Sequence, residues 1–179
     1  MMTVEELRAM IAGGETLTEE FKSDQRRLPD HELVESVIAM ANTRGGTLLL
    51  GVEDDGQVTG LYPKHRTSPD RMAALIANKT VPPLAVEIVF VNLPDLPVAV
   101  VSVPAARQLV ATIDGRVLIR CLDDCGVPWR RILFPHEAAG WRADRGLPDL
   151  TAMPVSGATW DDLDPLEFVR LRRMVKDNQ

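Results

Sequence analysis

The 179-residue sequence is poor in cysteine, holding only Cys121 and Cys125, so a disulfide framework is excluded and a reducing cytoplasm is the expected compartment. Long apolar runs are missing as well. The longest are broken by Glu87, Asn92 and Asp95, and no segment is expected to span a bilayer. The opening residues, MMTVEELRAMIA, carry early glutamates and lack the basic start and long apolar centre of a signal peptide. There is no surplus of positive charge either: 20 Lys and Arg against 26 Asp and Glu leave a net charge of −6. Phosphate binding needs a positive face, so this balance argues against general adhesion to nucleic acid but leaves room for a local basic patch. Three motifs are absent. Without G-x-x-x-x-G-K-S/T there is no P-loop, and ATP hydrolysis is not expected. Gly45, Gly46 and Gly51 have the wrong spacing for G-x-G-x-x-G and precede a strand rather than follow one. The G-x-S-x-G nucleophile elbow is missing too, as are internal repeats and low-complexity tracts.

What is present is a mixed pattern of helices and strands, expected to fold as one α/β (α+β) domain with a largely antiparallel mixed sheet. TVEELRAMI starts with a capping box formed by Thr3 and Glu6, its apolar stripe is Val4, Leu7, Met10 and Ile11, and Gly13–Gly14 stops the helix. TLTEEFK alternates as a strand, with Leu17 and Phe21 inward and Glu20 and Lys22 on the opposite face. In DHELVESVIAMAN, Leu33, Val34, Val37, Ile38 and Ala41 share one helical face. Asn42 to Gly46 ends that helix, and positive φ is expected at Gly45 and Gly46 because the chain must turn at once into a strand. Thr47–Val52 is short and uniformly apolar, which predicts a strand buried on both faces. Asp55–Gly56 signals a hairpin with QVTGLY returning.

Further along, Ser68–Pro69 opens a third helix that VPP ends. AVEIVFV and VAVVSV read as strands, and LVATI and RVLIRC read as a pair around Asp114–Gly115. PHEAAGWRAD predicts a short helix. A Pro- and Gly-punctuated connector, LPDLTAMPVSGATWDD, precedes a last helix from Asp164–Pro165 through Val175. The expected division is a domain over 1–145 with a connector and amphipathic helix over 146–179.

Glu53, Asp54 and Asp55 stand where the central strand leaves the core, a place where a strand fixes position and a loop supplies freedom. They read equally as a solvated turn, in which Asp is favoured, or as part of a site. Cys121, Cys125 and His136 have a conceivable zinc spacing but no second ligand pair, and they also read as ordinary residues around a strand end. His31 and His65 have no partner visible in the sequence.

ETLTEEFK followed by ANTRGGTLLLGVEDDGQVTGL resembles the Alba-type DNA-binding domain shared by Schlafen proteins and many prokaryotic transcriptional regulators. DGRVLIRCLDD resembles the later strand of that domain, and the similarity runs over about residues 13–140. Thr16 stands where the family usually has serine, which keeps the hydroxyl, and CLDDCGVPW replaces a more typical Arg-x-Gly-Ser turn after Arg120. The resemblance implies a nucleic-acid-binding module of a prokaryotic transcriptional regulator, cytoplasmic and without membrane association. The module binds DNA or RNA weakly, can form a homodimer, and is normally followed by further domains in a longer chain. Phosphate contacts would fall to Arg26, Arg27, Arg116, Arg120, Arg130 and Arg131. Two alternatives stay open: a protein-interaction or dimerisation module, for which the acidic balance speaks, and, from the resemblance, a metal-dependent ribonuclease. In the nuclease, Glu15, Glu20 and Asp54 would hold Mg²⁺ or Mn²⁺ and Lys22 would neutralise developing charge. No metal or cofactor is expected in the isolated binding module, and the three carboxylates are expected on one side of the domain near Lys22.

Overall fold

A computed structural model describes residues 2–93, 96–147, 156–162 and 164–177. The chain divides into two compact units, Met1–Ala138 and Ala139–Gln179. The first is built on a four-stranded mixed sheet, and the expected α+β class holds.

Helix α1 (Val4–Gly13) begins with the expected capping box: Glu6 N–H donates to Thr3 Oγ1 (3.1 Å) and Thr3 N–H to Glu6 Oε2 (2.7 Å). Strand β1 (Glu19–Lys22) is followed by α2 (Asp30–Ala41) and β2 (Gly46–Leu50). The two strands run parallel, joined through the helix, with Glu20 beside Leu48 and Lys22 beside Leu50. Helix α3 (Pro69–Asn78) leads to the two-residue β3 (Thr80–Val81), then to the hairpin of β4 (Glu87–Leu93) and β5 (Leu96–Val103). The sheet order is β1-β2-β5-β4, antiparallel except for the first pair. Short β6 (Ala111–Thr112) pairs with β3, and β7 (Leu118–Leu122) forms a separate hairpin with β8 (Pro128–Ile132).

Alternation along β2 explains the two cores. Leu48 and Leu50 pack with Leu33, Val37 and Ile38 of α2 and with Val101 of β5. Leu49 points the other way, into a cluster of Leu7 from α1, Phe21 and Val100. All three β2 leucines are fully buried, so the central strand is covered on both faces as its composition predicts. Gly45 and Gly46 have φ of 72° and 134°, and the chain here runs close against its neighbours. A Cβ on Gly46 would lie 2.0 Å from the Thr18 carbonyl oxygen, so any side chain at this position collides with backbone.

Three local expectations are corrected, and one strand forms that the sequence did not announce. QVTGLY is not a returning strand: only Val58 bridges to Val52, and the amides of Thr59 and Gly60 both donate to Gly51 O. Gly51 and Gly60 touch so closely that the chain turns away from the ladder, and a Cβ on Gly51 would meet Gly60 C at 2.7 Å. LVATI shrinks to two residues because the Asn42 side chain takes both the amide (2.9 Å) and the carbonyl (2.8 Å) of Val110. The third helix stops before VPP, since Thr80 and Val81 leave it to pair with β6. The strand PWRRI, with proline first and paired arginines, carries no local strand signal and exists because β7 supplies its ladder.

The second unit contains α4 (Ala138–Asp144), preceded by a turn of 3-10 helix at Pro135–Glu137, and α5 (Pro165–Asp177). Arg145 stacks over Trp141 at 3.8 Å from the ring centre. Leu166, Val169, Leu171 and Met174 of α5 are exposed. Of the connector expected over 147–162, residues 148–155 lie outside the described residues.

Replacing Leu49 with Ala should cost about 2–5 kcal/mol in a urea titration, through reduced burial and the residual cavity. Gly46→Ala should destabilise the domain markedly while Gly13→Ala, with open space at its Cβ, leaves it unchanged. Equal effects of the two glycine variants would refute the close-approach account.

Candidate nucleic-acid interface

The site grows from β1. Its Phe21 side chain enters the α1 core, which turns Glu20 and Lys22 to the opposite face, toward the side of the sheet that α2 covers. From the β7–β8 hairpin, Arg120 reaches the same place. Its Nη1 pairs with Glu20 Oε2, and its Nη2 donates to the carbonyls of Thr16 (2.6 Å) and Glu19 (3.0 Å). The Lys22 Nζ–Glu20 Oε1 distance is 2.5 Å. Glu20 therefore sits between two bases while only 7% exposed. Arg120 Nε has no hydrogen-bond partner, the one buried side-chain N or O of that kind among the described residues.

Two residues at the exit of α2 hold the hairpin in register with this pair. Asn42 Nδ2 donates to the carbonyls of Val110 and Leu118, and Thr43 Oγ1 accepts from the Arg120 amide (2.8 Å). Asn and Thr here are staples between the helix end and two later segments, and their buried polar groups are satisfied as burial demands. Glu15 accepts the Phe21 amide at 2.7 Å, which occupies a donor of the edge strand β1 that would otherwise be open.

The three consecutive carboxylates separate by role. Glu53 accepts from Ser23 Oγ and Thr59 Oγ1, each at 2.7 Å, and ties its turn to the segment after β1. Asp55 accepts the Gln57 amide and closes the turn locally. Asp54 is exposed and acts electrostatically on Lys22, as do Glu15 and Glu32. Burial pulls the Lys22 ammonium below its usual value. Glu15 opposes this, Arg130 adds to it, and Asp54 and Glu32 oppose it further. Burial likewise lowers the Arg120 guanidinium, against the pull of Glu15 and Glu19.

The structure thus joins Glu20, Lys22 and Arg120 directly, with Glu15, Asp54 and Arg130 near enough to act on Lys22 by charge. The donor set does not suit a divalent cation. Glu20 is engaged by Lys22 and Arg120 and Glu15 by a backbone amide, and no three His, Cys, Asp or Glu side chains among the described residues are grouped to hold one ion. The same holds for Cys121, Cys125 and His136 as zinc ligands.

The remaining arginines fall into different environments. Arg116 and Arg130 both reach Glu35 on α2, at 2.6 and 3.6 Å, and Arg130 also donates to Ser36 Oγ. Their side chains remain 43% and 30% exposed. Arg131 lies on the other face of the hairpin in a two-pronged pair with Glu137, whose carboxyl is held at about 2 by that guanidinium and by the Phe134 amide. Arg26 and Arg27 are exposed in the segment after β1, Arg27 pairing with Asp30. Sequence reasoning weighed Glu53 as part of a site but missed Glu35, Asn42 and Thr43. Of these only Asn42 and Thr43 carried a signal, their place in the Asn-Thr-x-Gly-Gly run.

The profile of the Schlafen, AlbA_2 family matches residues 15–126. The chain belongs to this family. Every residue of the Glu15–Glu20–Lys22–Arg120 network lies inside that span. The fold is similar to a crystal structure of a protein from Corynebacterium diphtheriae, at TM-score 0.63 and 20% identity. The match covers 95% of this chain and 33% of that one, so this chain spans about a third of its neighbour. A solution structure of the N-terminal domain of a RecG-related protein from Nitrosomonas europaea matches at TM-score 0.47 and 21% identity, covering 89% of this chain and 99% of that one. No curated protein matches the chain. Among the described residues no helix is long and apolar enough to cross a membrane.

Arg120→Met should cost about 3–5 kcal/mol in chemical denaturation, because Glu20 stays buried with one of its two bases removed. Adding Glu20→Gln to that variant should recover much of the loss. A neutral Arg120→Met would show that the pair does not hold the hairpin to β1.

Proposed function

We propose that this Schlafen, AlbA_2 domain is a nucleic-acid-binding module and that it serves a transcriptional regulator. Family membership over most of the chain supports the nucleic-acid reading. The observation that carries it at the level of residues is the outward allocation of cations. Arg26, Arg27 and Arg116 are exposed and Arg130 is half-buried, although the protein is acidic overall. Arg120 is a structural base in this reading and is withdrawn from phosphate contact, since its side chain is 2% exposed. Arg131 contributes less than its neighbours, because Glu137 already occupies its fork. A module role within a longer protein fits the C. diphtheriae neighbour, in which the same fold occupies about a third of the chain.

Metal-dependent cleavage is the second reading, favoured by one observation: Lys22 pairs with Glu20 and feels the charges of Glu15 and Asp54. Their repulsion is relieved by Lys22 and Arg120, so these bases already supply the positive charge that clustered carboxylates require. Binding without cleavage is therefore the better account of the geometry.

The test is fluorescence anisotropy with single-stranded DNA and RNA from low to physiological salt. Affinity should be modest and fall steeply with salt, as expected when a few phosphates are neutralised. Arg26→Ala with Arg27→Ala should flatten the slope of log K against log salt by about 1.4, roughly 0.7 for each single-strand phosphate that is no longer neutralised. Salt-independent binding, or none at low salt, would refute the proposal. Mn²⁺-dependent cleavage abolished by Asp54→Ala would replace it with the nuclease.

A further inference from the structure

A cleft of about 400 Å³ opens in the first unit between the segment after β1 and the start of α3, away from the Glu20–Arg120 pair. Three cations from three separate segments line it: Arg27, Lys64 and Arg71. Asp30 is the one carboxylate in the lining, and Arg27 holds it at 2.6 Å. Three positive charges against one negative leave a surplus of two, in a protein whose net charge is −6.

The wall is firmly built. Asp24 is fully buried, accepts the amides of Leu28 (2.8 Å) and Tyr62 (2.7 Å), and holds His65 Nδ1 at 2.9 Å. An ionised Asp24 carboxylate can only accept, so the ring donates Nδ1–H to it. This fixes His65, a lining residue, together with the turn that carries Lys64. Ser68, also in the lining, is the N-cap residue of α3, yet its hydroxyl makes no cap hydrogen bond.

We propose that this cleft binds a phosphate monoester borne by a nucleotide, free or at the end of a strand. A monoester carries about −1.5 to −2 at pH 7, which matches the local surplus of two, whereas each phosphodiester inside a strand carries only one charge. The volume falls within the range of sites that enclose a small organic ligand, about 300–1,000 Å³, and so admits the sugar as well as the phosphate. Arg71 and Lys64 supply charge-assisted donors to the terminal oxygens, with the Ser68 hydroxyl free to join them. The strand-end form of this inference rests on the nucleic-acid reading above, and the free-nucleotide form does not.

The experiment compares oligonucleotides of one sequence with 5′-phosphate, 3′-phosphate or hydroxyl ends, alongside a nucleoside and its monophosphate, by anisotropy and calorimetry. A monoester should tighten binding about tenfold, the scale of a hydrogen bond to a charged group. Arg71→Ala and Lys64→Gln, both at exposed positions, should each remove most of that gain and leave hydroxyl-ended strands unaffected. Thermal melts confirm that both variants fold. A gain confined to one end of the strand, or to the free monophosphate, identifies the source of the ligand. Should hydroxyl-ended strands fail to bind while the monophosphate binds through Arg71, the cleft stands and the nucleic-acid reading falls. Affinities indifferent to the monoester, or a gain that survives both substitutions, would overturn the inference.

Discussion

A guanidinium cannot shed its charge at any pH a protein meets, so burying one commits the surrounding chain to answer it. Arg120 imposes that demand here. Its side chain is almost entirely enclosed, and the answer comes from Glu20 and from two carbonyls in the turn before β1. Meeting it draws together an edge strand, the turn that precedes it and a hairpin that belongs to another sheet. Asn42 and Thr43 act in the same direction from the end of α2, because their hydrogen bonds set where β7 lies. The pair is less a source of net stability than a device that leaves few other arrangements open, since mispairing would strand a charge in the interior.

This arrangement also decides what the carboxylates can do. Clustered acids are tolerable only with compensating charge, and Lys22 and Arg120 provide it from within the chain. Cations thus fall into two groups. One is turned inward and binds carboxylates that hold the fold together. The other lies at the surface, where Arg26 is exposed and Arg27, Arg116 and Arg130 keep part of their side chains accessible while pairing with Asp30, Asp114 and Glu35. The acidic balance of the whole chain says little about the second group, because screening confines charge effects to about 10 Å at ordinary salt.

Much of the fold was legible because its signals are local. The Thr3–Glu6 capping box, the α2 stripe and the buried leucines of β2 each depend on residues a few positions apart, and each forms as read. Gly45 and Gly46 were legible for the same reason, since a helix exit running straight into a strand demands unusual backbone. The failures came from pairings that no local propensity announces, even where the partners are close in sequence. Nothing near Gln57 reveals that Gly51 and Gly60 press together, and nothing near Pro128 reveals that β7 will pair with it. The arginines show the limit most plainly. Read along the chain they form clusters, but their availability depends on partners such as Glu20 and Glu35, about a hundred residues away for Arg120 and Arg130. The resemblance singled out Glu15, Glu20 and Lys22, whereas the Phe21 amide on Glu15 and the Arg120 guanidinium on Glu20 were not legible.

The bonds of Arg120 to Thr16 and Glu19 span 104 and 101 residues. Closing so long a loop costs entropy before any contact offsets it, and contacts of this separation slow folding. During synthesis the β1 segment leaves the ribosome long before Arg120 is made. Through that interval Glu20 has Lys22 alone as its base, and Asn42 lacks the backbone of 110 and 118 that its side chain holds in the finished fold. The electrostatic network is therefore a late product of chain growth, and a nascent chain arrested before residue 120 carries its acids without their buried counterion.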